Sequence, residues 1–388
     1  MKKYLTISLL AVIAFFLGSG VAGAGNAADS AAVYDAKVTK IIEEKTITRE
    51  NGSEAIQQNL ELQILSGERK GETILSEGIQ DYDMPGTNRY HVGDKVQVQI
   101  SSDNEGNEIF FIMDYLRRNS LYWLAFIFAV GVIVIGKQKG VKALLSLIVS
   151  FIIILKFILP RLLAGDNPIF IALLGAGAIL AIIIYFTEGW NKKSHLAMLS
   201  VVCSLSVTLL LSWIFVVWGK ISGMAQEETS FLLGTTDTQI QFSGLLLAGI
   251  IIGAIGVLDD VIIGQLEAVR QIKIANPKLP AKKVFLSAYE VGNTHLSAII
   301  NTLFLTYAGA SLPLLLLFTS GQDAFSSLGQ ILNHEPMATE IIRTLTGSLG
   351  VALSMPIATA LGAWFLTINT DKKEINTKEN SDKKEITV

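Results

Sequence analysis

One stretch decides the fold class, residues 119–136, which read NSLYWLAFIFAVGVIVIG without a charged side chain. About 20 apolar residues let a helix cross the roughly 30 Å hydrocarbon core of a bilayer. Similar stretches recur along the chain, and 51% of its residues are hydrophobic. The sequence therefore predicts an α-helical polytopic membrane protein whose transmembrane domain, residues 119–370, has seven spans, at about residues 119–136, 143–160, 167–187, 195–217, 239–259, 296–318 and 345–367. The second span contains Lys156, whose side chain must snorkel towards the headgroups.

Basic residues are concentrated in every second loop between the predicted spans, and therefore on one side of the membrane. The loops after the first, third and fifth spans carry Lys137, Lys139, Lys142, Lys192, Lys193, Arg270, Lys273, Lys278, Lys282 and Lys283, and the charged tail, residues 371–388, adds five more lysines. Cytoplasmic loops are enriched in Lys and Arg. We therefore expect the tail and these loops in the cytosol, and residues 29–116 outside it.

The N-terminus resembles an export signal. Lys2 and Lys3 precede an apolar run, and Ala22-Gly23-Ala24 offers a cleavage site of the A-x-A type. Residues 1–28 are thus either a removed signal peptide or a retained signal anchor.

Residues 29–116 have the pattern of a small β-rich domain. Turn residues separate short segments, and Val96, Val98 and Ile100 alternate with polar neighbours as in a strand with one buried face. The predicted strands are Val33–Ile42, Gln58–Leu65, Glu72–Ser76, Lys95–Ser101 and Glu108–Ile112. Five short strands favour a barrel of the OB type, with a sandwich as the alternative. Such a domain either binds a ligand or partner, or serves as a spacer.

Two adjacent carboxylates, Asp259 and Asp260, follow the fifth span on its cytosolic side. Adjacent carboxylates disfavour simultaneous ionisation, which suits a proton relay. If the helix continues past them, it is predicted to lie along the cytosolic surface until Asn276-Pro277 ends it. The alternative is that both aspartates cap the start of that helix.

The sixth span carries a stripe of polar residues that are candidates for lining a path. Thr294, Ser297 and Asn301 share one helical face, and His295, Thr302 and Thr306 lie beside it. Such a stripe is expected to face a partner helix or a wet path rather than lipid.

Small residues mark two predicted spans. Gly249, Gly253 and Gly256 in the fifth span, and Gly350, Ser354, Ala358 and Gly362 in the last one, are spaced for close helix contact. The single cysteine, Cys203, lies inside a span, so no disulfide or thiol metal site is expected.

Several blocks of the sequence resemble the YibE/F family of bacterial multi-pass membrane proteins. They are GVLDDV at residues 256–261, Asn276-Pro277, Asn301-Thr302-Leu303 and YAGASLP at residues 307–313. The resemblance covers most of the chain and implies a multi-pass protein of the bacterial plasma membrane, without naming a substrate. An aspartate pair at the inner end of a span is also similar to the central motif of resistance-nodulation-division permeases and SecD/SecF translocon subunits, in which acidic residues relay protons.

Two functions are consistent with these features. The first is a proton-coupled transporter or translocation accessory that uses Asp259 and Asp260. The second is a non-catalytic envelope scaffold whose outer domain binds a partner. No HExxH or GxSxG pattern occurs in the sequence, so we expect no enzyme, and no cofactor, metal or nucleic acid is expected either. Membrane lipids, a second copy of the chain and another membrane or envelope protein are the expected partners.

Overall fold

The computed structural model describes residues 33–48, 54–79, 89–102, 108–225, 240–319 and 327–366, together with Thr229 and Leu232. The chain divides into two compact units, one of residues 23–135 and one of residues 136–388 with residues 1–22. The signal segment and the cytoplasmic tail predicted from the sequence lie outside the described residues.

The first unit contains an antiparallel sheet of five strands in the order β3-β2-β1-β4-β5. The strands are β1 (Val33–Thr48), β2 (Glu54–Ile64), β3 (Thr73–Glu77), β4 (Lys95–Ser102) and β5 (Glu108–Tyr115). Val96 and Val98 are buried, with Leu60, Leu62 and Ile64 from β2. The five predicted strands are present, but β1 and β2 are longer than expected because their ladder continues to the pair Thr48–Glu54.

The sheet is not closed by a backbone ladder between its edge strands β3 and β5. Side chains nevertheless connect these edges. The Ser76 hydroxyl donates a hydrogen bond to the Phe110 carbonyl at 2.8 Å. Arg69 binds Glu72 at 2.7 Å and Glu108, on β5, at 3.0 Å.

The rest of the described chain is helical. Its helices are α1 (Arg118–Ile153), α2 (Leu159–Leu163), α3 (Pro168–Glu188), α4 (Lys192–Trp218), α5 (Phe242–Ala275), α6 (Ala281–Ala310), α7 (Leu312–Thr319), α8 (Leu328–Asn333) and α9 (Glu335–Leu361), with π-helical turns at Ile154–Ile158 and Gly362–Leu366. By length and composition, five helical segments among the described residues could cross a membrane: Arg118–Leu163, Pro168–Glu188, Lys192–Trp218, Phe242–Ala275 and Glu335–Leu366.

The seven predicted spans map onto these helices unevenly. The 46-residue segment Arg118–Leu163 contains the first two, and it is interrupted at Lys137, which has a φ of 49° and a ψ of −129°. The predicted span 296–318 falls on α6 and α7, which are not among the five segments. Asn, Thr, Ser and His residues lower the hydropathy of α6. Its crossing of the membrane stays a prediction, as does the division of Arg118–Leu163 into two spans.

The helices of the second unit run in alternating directions, as contacts at the two ends of the bundle show. At one end Lys193 binds Glu267 at 3.0 Å. At the other end the backbone N–H of Ser222 donates to Glu335 at 2.6 Å, and Gly244 lies against Pro168. We call these the Lys193 end and the Glu335 end.

Small residues have different surroundings in the two helices where they were singled out. In α9, Gly350 faces Thr208 of α4, and Ser354 and Ala358 are fully buried. The close packing predicted there is confirmed. In α5, Gly253 lies close to the Tyr307 hydroxyl, whereas Gly249 and Gly256 have no neighbouring atoms of the chain within 4 Å of a Cβ position.

Candidate functional site

The aspartate pair lies near the middle of α5, which continues without a break from Phe242 to Ala275. The interpretation of Asp259 and Asp260 as helix caps is therefore wrong, because no helix begins there. The helix ends before Asn276-Pro277, as predicted. Asp259 is half-buried and Asp260 is exposed. The two carboxylates therefore have different surroundings although they are adjacent in sequence.

Asp260 lines a cleft between α5, α6 and α9 that also receives His295. Its volume is about 250 Å³. We call it the Asp260 cleft; its lining consists of Asp260, Val261, Gly264, Gln265, Ala268, Val291, Gly292, His295, Leu296, Ile299 and Met355. A carboxylate and an imidazole thus share a mainly apolar cleft. Carboxylate and imidazole groups can both take up and release a proton.

A hydrogen bond between helices forms one wall of this cleft. The side-chain amide of Gln265 on α5 donates to the Ala288 carbonyl on α6 at 2.5 Å. Gly292 makes room for this amide, since a Cβ at residue 292 would lie 2.6 Å from the Gln265 Oε1. Gln265 was not predicted from the sequence, although it is a polar residue about one turn after the aspartate pair on the same helix.

The other members of the predicted stripe lie outside the Asp260 cleft. Thr294, Ser297, Asn301, Thr302 and Thr306 are all exposed on α6. Three of their hydroxyls bond back to carbonyls of the same helix, with donor–acceptor distances of 3.2 Å for Thr294, 2.9 Å for Thr302 and 2.7 Å for Thr306. The structure brings His295 together with Asp260, and it does not bring the other five residues to that cleft.

An ionic cluster lies at the Lys193 end of the bundle, two helical turns beyond the aspartates. The Lys193 ammonium group donates to Glu188 and, at 3.0 Å, to Glu267. Glu267 also binds Arg270 and Gln271 at 3.1 and 2.7 Å. Sequence reasoning used Lys193 for orientation alone, because no local pattern connects residues 193 and 267.

A second cleft, of about 180 Å³, lies nearer the Glu335 end and was also missed. Its lining is Phe304, Tyr307, Ala308, Ser311, Leu315, Met337, Glu340, Ile341, Thr344 and Leu345, and we call it the Glu340 cleft. Glu340 binds the Arg343 guanidinium at 3.1 Å and accepts a hydrogen bond from the Ser311 hydroxyl at 3.1 Å. Arg343 lies within α9.

In the described part of the chain, no group of three or more His, Cys, Asp or Glu side chains is arranged to hold a metal ion. Among the described residues, the Asp260 cleft contains a carboxylate and an imidazole, and the Glu340 cleft contains an ion pair.

Comparison with known families covers nearly the whole chain. Residues 124–368 match the family described as YibE/F-like protein, and residues 33–115 match the YibE/F family N-terminal domain. No curated protein and no solved structure matches the chain. Since the larger match alone spans more than half of the sequence, the chain belongs to the YibE/F-like family.

Proposed function

We propose that this protein is a proton-coupled membrane transporter, or a translocation accessory driven by protons, and that Asp259, Asp260 and His295 carry the protons. The observation that supports this most directly is the Asp260 cleft, in which a carboxylate on α5 and an imidazole on α6 line the same space. Ionisable residues inside membrane helices are costly to place in lipid, and they commonly mark ion or proton routes.

The two acidic positions have separate roles in this proposal. Asp260 is exposed and lines the cleft, so it exchanges protons with water and with His295. In this proposal Asp259, which is half-buried and adjacent in sequence, passes protons to and from Asp260.

The proposal includes α6 as a seventh span. α6 follows α5 from Val284, which packs with Val269, to Tyr307, which reaches Gly253. At 1.5 Å per residue this stretch covers about 34 Å, enough to cross the hydrocarbon core. In this proposal α6 lies in the plasma membrane, and its polar residues face protein or water.

We also propose that the outer domain is a barrel of the OB type. The strand order places β3 and β5 at opposite edges, and the Ser76–Phe110 and Arg69–Glu108 contacts connect these edges. A pair of edges joined in this way supports a curved sheet that approaches closure.

A second copy of the chain is the partner that we propose for the exposed face of α6. Among the described residues, the Asn301 amide has no hydrogen-bond partner in its own chain, and Ile300, Phe304 and Leu305 beside it are exposed. An amide both donates and accepts, so two copies of Asn301 can satisfy each other across a twofold axis. A blue-native gel of Asn301→Leu against Thr306→Val, an exposed residue on another face of α6, tests this contact.

Proton entry into liposomes tests the transport proposal. The purified protein is reconstituted with a pH-sensitive dye inside, and a potassium diffusion potential is imposed. We expect proton entry in the wild type, and its loss in Asp259→Asn, Asp260→Asn and His295→Gln. Ser297→Ala is the matched control, since Ser297 is an exposed residue of α6 outside the cleft.

The result also separates this proposal from a scaffold role. A scaffold tolerates the asparagine substitutions and gives no flux above empty liposomes. Flux that persists unchanged in both aspartate variants would exclude the proposed role of the pair.

A further inference from the structure

We infer that the Asp260 cleft and the Glu340 cleft are the two ends of one passage between α5, α6 and α9, and that the Tyr307 side chain closes it. This inference rests on the proposed transport function and names the residue that controls access to its site. Neither cleft alone joins the two ends of the bundle.

The two clefts lie in line along the same pair of helices. The Asp260 cleft is lined by residues 291–299 of α6 and by Met355 of α9. The Glu340 cleft is lined by residues 304–311 of α6 and by residues 337–345 of α9. Between them only about one turn of α6 and about two turns of α9 remain. The barrier between the clefts is therefore short.

Tyr307 occupies this barrier at a point where three helices meet. Its hydroxyl oxygen lies 3.0 Å from where a Cβ would stand at Gly253 of α5, and 3.5 Å from the corresponding position at Gly347 of α9. Leu303, one turn earlier on α6, is buried. The phenol ring thus spans the gap from α6 to the two facing helices, and both glycines leave room for it.

The glycines also explain why a single side chain can close the passage. A methyl group at residue 253 would stand only 3.0 Å from the hydroxyl, so the end of the ring lies close against the backbone of α5. A Tyr side chain rotates about two main torsions, so we expect rotation about χ1 to withdraw the ring and open the passage.

Chemical groups on each side of Tyr307 suit a passage for protons or small polar solutes. Asp260 and His295 lie on one side. On the other side, the Glu340 carboxylate is held by Arg343 and Ser311. Tyr307 itself also lines the Glu340 cleft.

Cysteine accessibility tests the closure without any transport measurement. Cys203 is the only cysteine of the chain, so Cys203→Ser gives a background without thiols. In that background, Ile299→Cys places one thiol in the Asp260 cleft. A charged, membrane-impermeant methanethiosulfonate is then added to reconstituted protein from the side of the Glu335 end, and the rate of modification is measured.

With Tyr307 intact, we expect slow modification of the thiol from that side. Tyr307→Ala should raise the rate about tenfold or more, the change that a shift of about 1.4 kcal/mol in the open–closed equilibrium produces. Tyr307→Phe should leave the rate low because it keeps the ring. Phe304→Ala is the matched control, since Phe304 lines the Glu340 cleft but is exposed.

Tyr307→Leu provides a second opening variant that keeps an apolar side chain, in case the alanine protein does not fold. Equal rates for wild-type Tyr307 and for both opening variants would overturn the inference. Fast modification with Tyr307 intact would overturn it as well. Since labelling needs no flux, absence of proton entry would count against the transport function and leave this result unaffected.

Discussion

At the residue scale, two glycines in neighbouring helices should respond to alanine in opposite directions. Gly350→Ala places a methyl group 2.7 Å from the Thr208 Cβ in a fully packed contact. Overpacking of this kind costs about 1–3 kcal/mol. Gly249→Ala meets open space, so it should stabilise α5 by up to about 1 kcal/mol through helix propensity.

Thermal unfolding in detergent micelles measures both changes. The unfolding temperature of the wild type should lie between those of the two variants if α4 packs against α9 as described. Equal stability of Gly350→Ala and wild type would contradict that contact. Both substitutions add the same methyl group to a helical glycine, so each is the control for the other.

The backbone conformation of Lys137 leads to a further prediction. Its φ of 49° and ψ of −129° interrupt α1 in a region that glycine adopts readily and other residues do not. Strain at such a residue costs about 1–3 kcal/mol. Lys137→Gly should therefore raise the free energy of unfolding by about 1 kcal/mol, while Lys142→Gly, within a regular part of the helix, should lower it by a similar amount. Chemical denaturation of both variants checks the sign of each change in the free energy of unfolding.

At the scale of elements, the sequence was sufficient to predict secondary structure wherever the spacing of apolar residues determines it. Val96 and Val98 alternate with polar residues, and all five strands exist. Uncharged stretches likewise produced the long helices. Periodicity carries no information about which helix faces which, and this is why Gln265, Glu340 and the contact between Lys193 and Glu267 were not found. The aspartates also suggested a helix start, because charge at a helix N-terminus and charge within a continuous helix look alike in sequence.

The edges of the sheet should be sensitive to acid. Hydrogen bonds from Arg69 lower the pKa of Glu72, and those from Arg117 lower the pKa of Asp114. A carboxyl group with a lowered pKa in the folded state stabilises that state above its unfolded pKa, about 4, and this contribution is lost as the pH falls through the folded value. We therefore expect amide exchange in β3 and β5 of the full-length protein to accelerate below about pH 4.

Arg69→Gln tests the cause of this acid sensitivity. It removes the partner of Glu72 and Glu108, so exchange in β3 should be faster at neutral pH and should change less on acidification. Lys70→Gln removes the same charge one residue away and serves as the control. An identical acid response of both variants would show that net charge, rather than the Arg69 contacts, is responsible.

At the scale of the whole molecule, the number of spans decides which side of the membrane α9 starts from. α6 has 30 residues, and its contacts follow α5 from Val284 to Tyr307. If α6 did not cross, α9 would begin in the cytosol and the lysine-rich tail would end outside, against the tendency of basic segments to stay in the cytosol. The arrangement of charges therefore favours a crossing even though the hydropathy of α6 is low.

Cysteines on either side of α6 give a direct measurement of this crossing. In the Cys203→Ser background, Lys278→Cys lies between α5 and α6, and Gly329→Cys lies on α8. With an impermeant maleimide on intact cells, we expect labelling of residue 329 and none of residue 278 until the membrane is permeabilised. Labelling of both residues from the same side would exclude α6 as a span. The polar face of α6, with Asn301, would then lie in water and require no second copy to cover it.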